Sequence, residues 1–205
     1  MMRVTRAEAV TKTRYRIEIE GQFAFVLSKS ELSHYQLAEG AEIDESRYRL
    51  IMEETIIRRA KKKALDLLNV MDRTEGELRQ KLAESSFPAE AVDAAVAYVK
   101  SFGYINDERY VRLFIENRKG KRSRKEICAG LVQKGIEREN IEQAMEEYYG
   151  KDAAVEAVMA LLLKKHYRPG EEDPAAVRKM MAYLGRKGFS YDEIRRGMQE
   201  FEAKA

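Results

Sequence analysis

The strongest constraint on this chain is that it repeats itself. Thr74-Glu75-Gly76-Glu77-Leu78 leads to Leu82, Ser86-Phe87, Val92 and Val96, and Ser123-Arg124-Lys125-Glu126-Ile127 leads to Leu131, Gly135-Ile136, Ile141 and Met145. A third copy runs from Ala176 and Met180 through Leu184, Gly188-Phe189 and Ile194 to Met198. Five apolar positions coincide three times, offset by 49 and then 53 residues. Self-similarity at such a period marks a repeat architecture. Apolar residues four apart share one helix face. A glycine four residues further on, as at Gly135 and Gly188, supplies a left-handed C-cap. The apolar residue after it folds back, and a second amphipathic helix follows. Thr74 with Glu77, Ser123 with Glu126 and Ser190 with Glu193 match capping boxes, and Asp173-Pro174 offers an N-cap with proline at the first helical position.

Upstream of each pair the helical period continues over 45–70, 107–118 and 152–166. The expected fold is therefore mainly α: tandem three-helix repeats over 45–103, 104–150 and 151–205, in an elongated array with room for curvature. Residues 1–44 read differently. Tyr15, Ile17 and Ile19 alternate with polar residues, Gly21 breaks the run, and Phe23, Phe25 and Leu27 resume it. That predicts a small β-hairpin, leaning on a short helix near 32–37. Two residues depart from the repeat. Ser86 stands where the other copies have glycine, and Gly130 lies inside a helix, where a close backbone neighbour would explain it. The stretch 167–174, Tyr-Arg-Pro-Gly-Glu-Glu-Asp-Pro, is the best candidate for a hinge.

Composition narrows the function classes. The 38 Lys and Arg against 35 Asp and Glu leave a net charge of only +3, so any electrostatic argument must rest on local clusters. One cysteine, Cys128, excludes an intrachain disulfide and fits a small, buried, apolar role in a reducing compartment. No segment approaches the roughly 18 apolar residues of a membrane span, and the start lacks a signal-peptide core. A cytoplasmic monomer is expected. His34 and His166 have no metal-ligand partners at helical spacing, and no phosphate loop, nucleophile elbow, zinc pattern or dinucleotide fingerprint occurs. Met145, Met180 and Met198 fall on repeat positions and belong to the core. No catalytic residue, metal or cofactor is expected, and the chain reads as a non-enzyme.

Basic residues are the informative polar feature. They gather at 58–63, 118–125, 164–168 and 186–196. Cations stabilise a helix C-terminus by about 0.3–1 kcal/mol, which accounts for one or two residues. It does not account for Arg118, Lys119, Lys121, Arg122, Arg124 and Lys125 running into the start of the next helix, where positive charge is unfavourable. These six, followed by Arg186, Lys187, Arg195 and Arg196, are the candidate contact residues.

Three stretches carry a family resemblance: Arg73-Thr74-Glu75-Gly76-Glu77-Leu78 with Lys81-Leu82; Gly103-Tyr104-Ile105-Asn106-Asp107-Glu108-Arg109-Tyr110 with Phe114 and Arg118; and Leu131 with Lys134-Gly135-Ile136. They resemble the RecX family of recombination regulators, specifically over 58–145 and more loosely through the third repeat. The resemblance implies a protein of tandem three-helix repeats that binds the RecA filament and modulates it, usually inhibiting its ATP hydrolysis, strand exchange and co-protease activity. The ten basic residues would then dock electrostatically in the filament groove. Gly103 would end one repeat, Asn106 or Asp107 would cap the next helix, and Tyr104 and Ile105 would pack between repeats. The competing reading is a direct binder of single- or double-stranded DNA using helix-turn-helix-like repeats. Against it, the second helices, 89–100 and 137–149, carry few basic residues and several glutamates.

Overall fold

The computed structural model describes residues 1–170 and 173–204. Glu171 and Glu172, in the expected hinge, lie outside the described residues. The chain forms two compact units, one from Met1 to Asn106 and one from Asp107 onward.

The first unit opens with strands β1 (Met2–Ala9), β2 (Arg14–Ile19) and β3 (Gln22–Ser28), helix α1 (Lys29–His34) and strand β4 (Glu42–Ile43). They make a four-stranded antiparallel sheet in the order β3-β2-β1-β4. The expected hairpin is its β2–β3 half. Ile19 pairs with Gln22 across a two-residue turn in which Glu20 and Gly21 both take positive φ, of 51° and 75°. That turn matches the twist of the flanking strands. The sheet buries Ile17, Phe25 and Leu27. Its partner is a continuous helical rod: α2 (Glu45–Ile51), a π-helical segment (Met52–Ile57) and α3 (Arg58–Val70). The Tyr35 hydroxyl meets Thr55 Oγ1 at 2.7 Å, fastening the end of α1 to the π-helical segment. Helices α4 (Glu75–Glu84) and α5 (Ala89–Ser101) complete the unit and share its core through Leu78, Leu82, Val92 and Val96.

The second unit is helical among its described residues: α6 (Asp107–Glu116), α7 (Arg124–Gln133), α8 (Arg138–Tyr148), α9 (Ala153–Lys164), α10 (Pro174–Arg186) and α11 (Tyr191–Lys204). Ile127, Leu131, Ile136, Ile141 and Met145 join Leu184, Phe189, Ile194 and Met198 in one core. The second and third repeats are thus one body. Of the fifteen repeat positions, Phe87 and Met180 are half-buried and the rest are buried. Helices α9 and α11 touch closely, since a Cβ on Gly197 would stand 2.5 Å from Val158 Cγ1.

The repeat departures have physical explanations. Ser86 takes φ +61°, the left-handed value that Gly135 (+78°) and Gly188 (+91°) take in the other copies. Gly130 does not face a neighbouring backbone, as its sequence context suggested. A Cβ there would lie 3.0 Å from the Phe114 ring, so the glycine makes room for an aromatic side chain. Tyr104 does not pack away either. It is 54% exposed, whereas Ile105 beside it is buried in the core of the first unit. Helices α6 and α9 end two residues short of the sequence reading, at Glu116 and Lys164.

Candidate docking surface

Two basic stretches that lie 64 residues apart in sequence meet at the start of α7. Ser123 is the N-cap of that helix: its Oγ accepts from the Glu126 amide at 3.1 Å. The same hydroxyl donates to the Lys187 carbonyl at 2.6 Å. The Glu126 carboxylate does not close a box onto the backbone, as Glu77 does on Thr74 and Glu193 on Ser190. It receives Arg122 Nη1 and Lys187 Nζ instead, each at 3.3 Å. One oxygen of the half-buried Glu126 carboxylate, Oε1, thereby ties the end of the second repeat's connection to the turn of the third. Gly188 seals the join. A Cβ there would stand 2.9 Å from both Ser123 Oγ and Lys125 Cβ.

The connection between α6 and α7 is correspondingly firm. Arg118 and Lys119 donate their amides to Ile115, and Lys121 and Arg122 donate theirs to Arg118. Gly120, at φ +71°, lies against Glu156 of α9, whose Oε2 would be 3.2 Å from a Cβ at that position. The Tyr149 hydroxyl donates to the Arg122 carbonyl at 3.1 Å. Burial pushes that phenol up to about 12, with Glu193 adding to the shift, because a phenolate there would lose its solvation beside a carboxylate.

The ten candidate residues divide by what holds them. Arg118 lies over the Phe114 ring, 3.6 Å from its centroid, and is half-buried. Lys119 reaches the Tyr148 carbonyl at 3.4 Å. Arg122 and Lys187 are clamped by Glu126, and Arg124 pairs with Glu142 at 2.7 Å. Arg196 pairs with Asp152 at 2.8 Å and with Glu200 at 3.2 Å, and the bond to Asp152 holds its guanidinium above its usual value. Lys121, Lys125, Arg186 and Arg195 are exposed, and among the described residues their side chains have no partner. Lys121, Lys125 and Arg186 flank the Ser123–Lys187 junction. Arg195 and Arg196 lie on α11.

Glu126, Tyr149 and Gly188 build the surface without carrying its charge. The sequence marked Glu126 only as a capping residue and Gly188 only as a C-cap, and nothing marked Tyr149. Cys128 is half-buried against the core of the second unit, and burial raises its thiol, with Glu142 next in effect. Among the described residues no group of three His, Cys, Asp or Glu side chains is placed to hold a metal ion. No described helix is long and apolar enough to cross a membrane.

Fold and site together define a helical-repeat protein that presents a charged surface built from two repeats and joined by part-buried polar contacts. Three family models specify which repeat protein. Residues 60–98 match the RecX first three-helix domain, 106–145 the second and 152–198 the third. A regulatory protein RecX from Clostridioides difficile is 30% identical over 186 residues, covering 89% of this chain and 87% of that protein. Another from Caldanaerobacter subterraneus subsp. tengcongensis is 29% identical, covering 91% and 92%. A crystal structure of regulatory protein RecX superposes with a TM-score of 0.64 at 26% identity, covering 97% of this chain and all of that one. RecX from Lactobacillus salivarius gives 0.62 at the same identity, over 72% of this chain and 97% of that one. The chain belongs to the RecX family of regulatory proteins.

Proposed function

We propose that the chain is a non-catalytic regulator that binds the RecA recombinase filament and lowers its ATPase, strand-exchange and co-protease activities. Membership of the RecX family supports the partner. The observation that carries the mode of binding is the junction at Ser123, where two basic stretches from different repeats form one surface. Lys121, Lys125 and Arg186 are its contact charges, since among the described residues no intramolecular partner competes for them. Arg122, Arg124 and Lys187 contribute potential, but each is already paired. Arg118 and Lys119 shape the connection, and Arg195 and Arg196 on α11 are further candidate contacts, Arg196 being already paired with Asp152 and Glu200. The interaction is electrostatic docking, with no bond made or broken.

The test is a titration of the single-stranded-DNA-dependent ATPase of RecA from the same organism, with this protein well below one copy per RecA monomer. A binding isotherm on the same DNA without RecA runs in parallel at the same salt. Loss of ATPase while free DNA stays unbound supports a filament regulator. Loss only where the DNA becomes coated transfers the function to direct DNA binding, and a log–log salt slope near −4 to −5 would then count about five phosphates. Replacing Lys121, Lys125 and Arg186 by Glu weakens filament binding at least tenfold, about 1.4 kcal/mol, with helical circular dichroism unchanged. Unchanged binding would make the patch an ordinary solvated face. These three are better targets than Arg122 and Arg124, whose reversal would also break the pairs to Glu126 and Glu142.

A further inference from the structure

Among the described residues two carboxylates answer cations at the basic junction, and they are not alike. Glu126 is half-buried, receives Arg122 and Lys187 together and joins two repeats, so its place is structural. Glu142 is on the outer face of α8, with its side chain 63% exposed, and its Oε2 accepts from Arg124 Nη2 at 2.7 Å. Among the described residues its side chain has no other hydrogen bond or ion pair.

A pair this exposed adds little to stability, because water screens it and two long side chains must be ordered to make it. What it changes is charge. It cancels Arg124 at the first turn of α7, inside the stretch that supplies Lys121 and Lys125. Cys128, one turn on, feels both groups: after burial, Glu142 does most to raise its thiol, and Arg124 acts against it. Glu139 and Glu146 lie about one turn to either side of Glu142, both exposed, and among the described residues neither holds a cation. The positive surface therefore ends at a row of three carboxylates, of which the middle one grips an arginine.

A chain of phosphates carries its charge without a break and would be repelled by that row as it ran on. A folded protein presents carboxylates singly and can set one over Arg124 alone. Such a carboxylate makes the same charge-assisted hydrogen bond that Glu142 makes, so the two compete for one guanidinium. We infer that Glu142 is a tethered competitor that restrains the basic junction: it holds Arg124 in the free protein and yields it to a carboxylate of the protein partner on docking. The inference rests on the docking reading above and adds the chemistry of the partner's group. Glu142 itself touches no partner; it acts through Arg124.

Fluorescence anisotropy of the labelled full chain is followed on RecA filaments formed on single-stranded DNA, and on the same DNA without recombinase, at one ionic strength. Glu142→Gln keeps the shape of the side chain and removes its charge. It is expected to tighten filament binding about two- to fivefold, the factor that breaking an exposed pair withholds, with the urea midpoint nearly unchanged. Arg124→Gln weakens filament binding, and in that background Glu142→Gln brings no gain, because the guanidinium it would free is gone. Glu139→Gln removes an equal charge one turn away and frees no cation, so its effect stays below that of Glu142→Gln and does not depend on Arg124. Binding to free DNA changes no more for Glu142→Gln than for Glu139→Gln. The inference is overturned if Glu142→Gln leaves filament binding unchanged, if it tightens binding as much without Arg124, if Glu139→Gln matches it, or if free DNA gains in step with the filament. A wild type that ignores the filament would sink the docking reading and this inference together. A wild type that binds, with no response to Glu142→Gln, would sink the inference alone.

Discussion

The first and second repeats begin with the same signature and use it in opposite ways. Helix α4 starts with Glu75 after its cap Thr74, and α7 starts with Arg124 and Lys125 after Ser123. Acidic charge at a helix N-terminus suits the dipole and basic charge opposes it. In the first repeat Glu75 gathers Arg79 at 2.9 Å and Lys100 at 2.6 Å, and Glu77 closes the box on Thr74. Each favourable charge is consumed locally. In the second, 49 residues on, Arg124 is turned sideways to Glu142, Lys125 has no partner among the described residues, and Glu126 leaves its box to hold Arg122 and Lys187. Local helix stability has been given up for a join to the next repeat and a positive surface. Departures from a local rule that a sibling repeat obeys are expected at functional or strained sites.

The comparison predicts separate bodies, and the largest effects test that. Leu82→Ala and Leu131→Ala each empty a fully buried site at matching positions, at a cost of about 2–5 kcal/mol. Hydrogen exchange is expected to quicken in α4 and α5 for the first variant, and from α7 through α11 for the second. Equal quickening of α4 and α5 in Leu131→Ala would make the chain one cooperative body and remove the distinction.

A smaller pair exchanges the left-handed residues. Gly188→Ala forces a side chain at φ +91° against Ser123 and Lys125, so overpacking of about 1–3 kcal/mol is expected, with loss of filament binding as the join opens. Ser86→Gly removes a left-handed serine that nothing comparable requires, and stabilises the first unit by up to about 1 kcal/mol. Urea midpoints at unchanged slope would show both. A Gly188→Ala protein with wild-type stability and binding would mean that the turn of the third repeat does not support the surface.

What the sequence showed depended on how local the cause was. The repeat cores were legible because a four-residue spacing and a capping glycine are properties of adjacent residues. Strand β1 was not. Val4 is its single buried residue, and a register shift between Val4 and Arg6 breaks the alternation that would reveal it. Strand β4 has two residues, too few for any period. The basic stretches were visible one by one, but their meeting rests on Ser123 and Lys187, whose contact spans 64 residues. Likewise Gly130 showed that something comes close, while only the fold shows that it is Phe114, stacked on Tyr110 and topped by Arg118.

The smallest effects lie at opposite ends of the pH scale and follow from matching positions, Lys100 in the first repeat and Tyr149 in the second. The Lys100 hydrogen bond is the main reason the Glu75 carboxyl is held below its ordinary value. A lowered acid contributes stability above its unfolded value and loses it as pH falls through the folded one. The first unit therefore weakens on the acid side through this pair, modestly, because the Lys100 ammonium is half-exposed and solvent screens the pair. Tyr149 is raised from near 10 to about 12, so its contribution is complete below pH 10 and disappears as pH climbs towards 12. Tyr149→Phe is expected to cost about 0.5–1.5 kcal/mol at neutral pH through the lost bond to Arg122, and to flatten the alkaline decline of the second unit alone. Lys100→Met should flatten only the acid decline of the first. Thermal melts from pH 3 to 12, with hydrogen exchange assigning each transition, give the answer. If Tyr149→Phe left the alkaline slope unchanged, the phenol would not be what secures the basic connection, and the contrast between the repeats would rest on Glu126 alone.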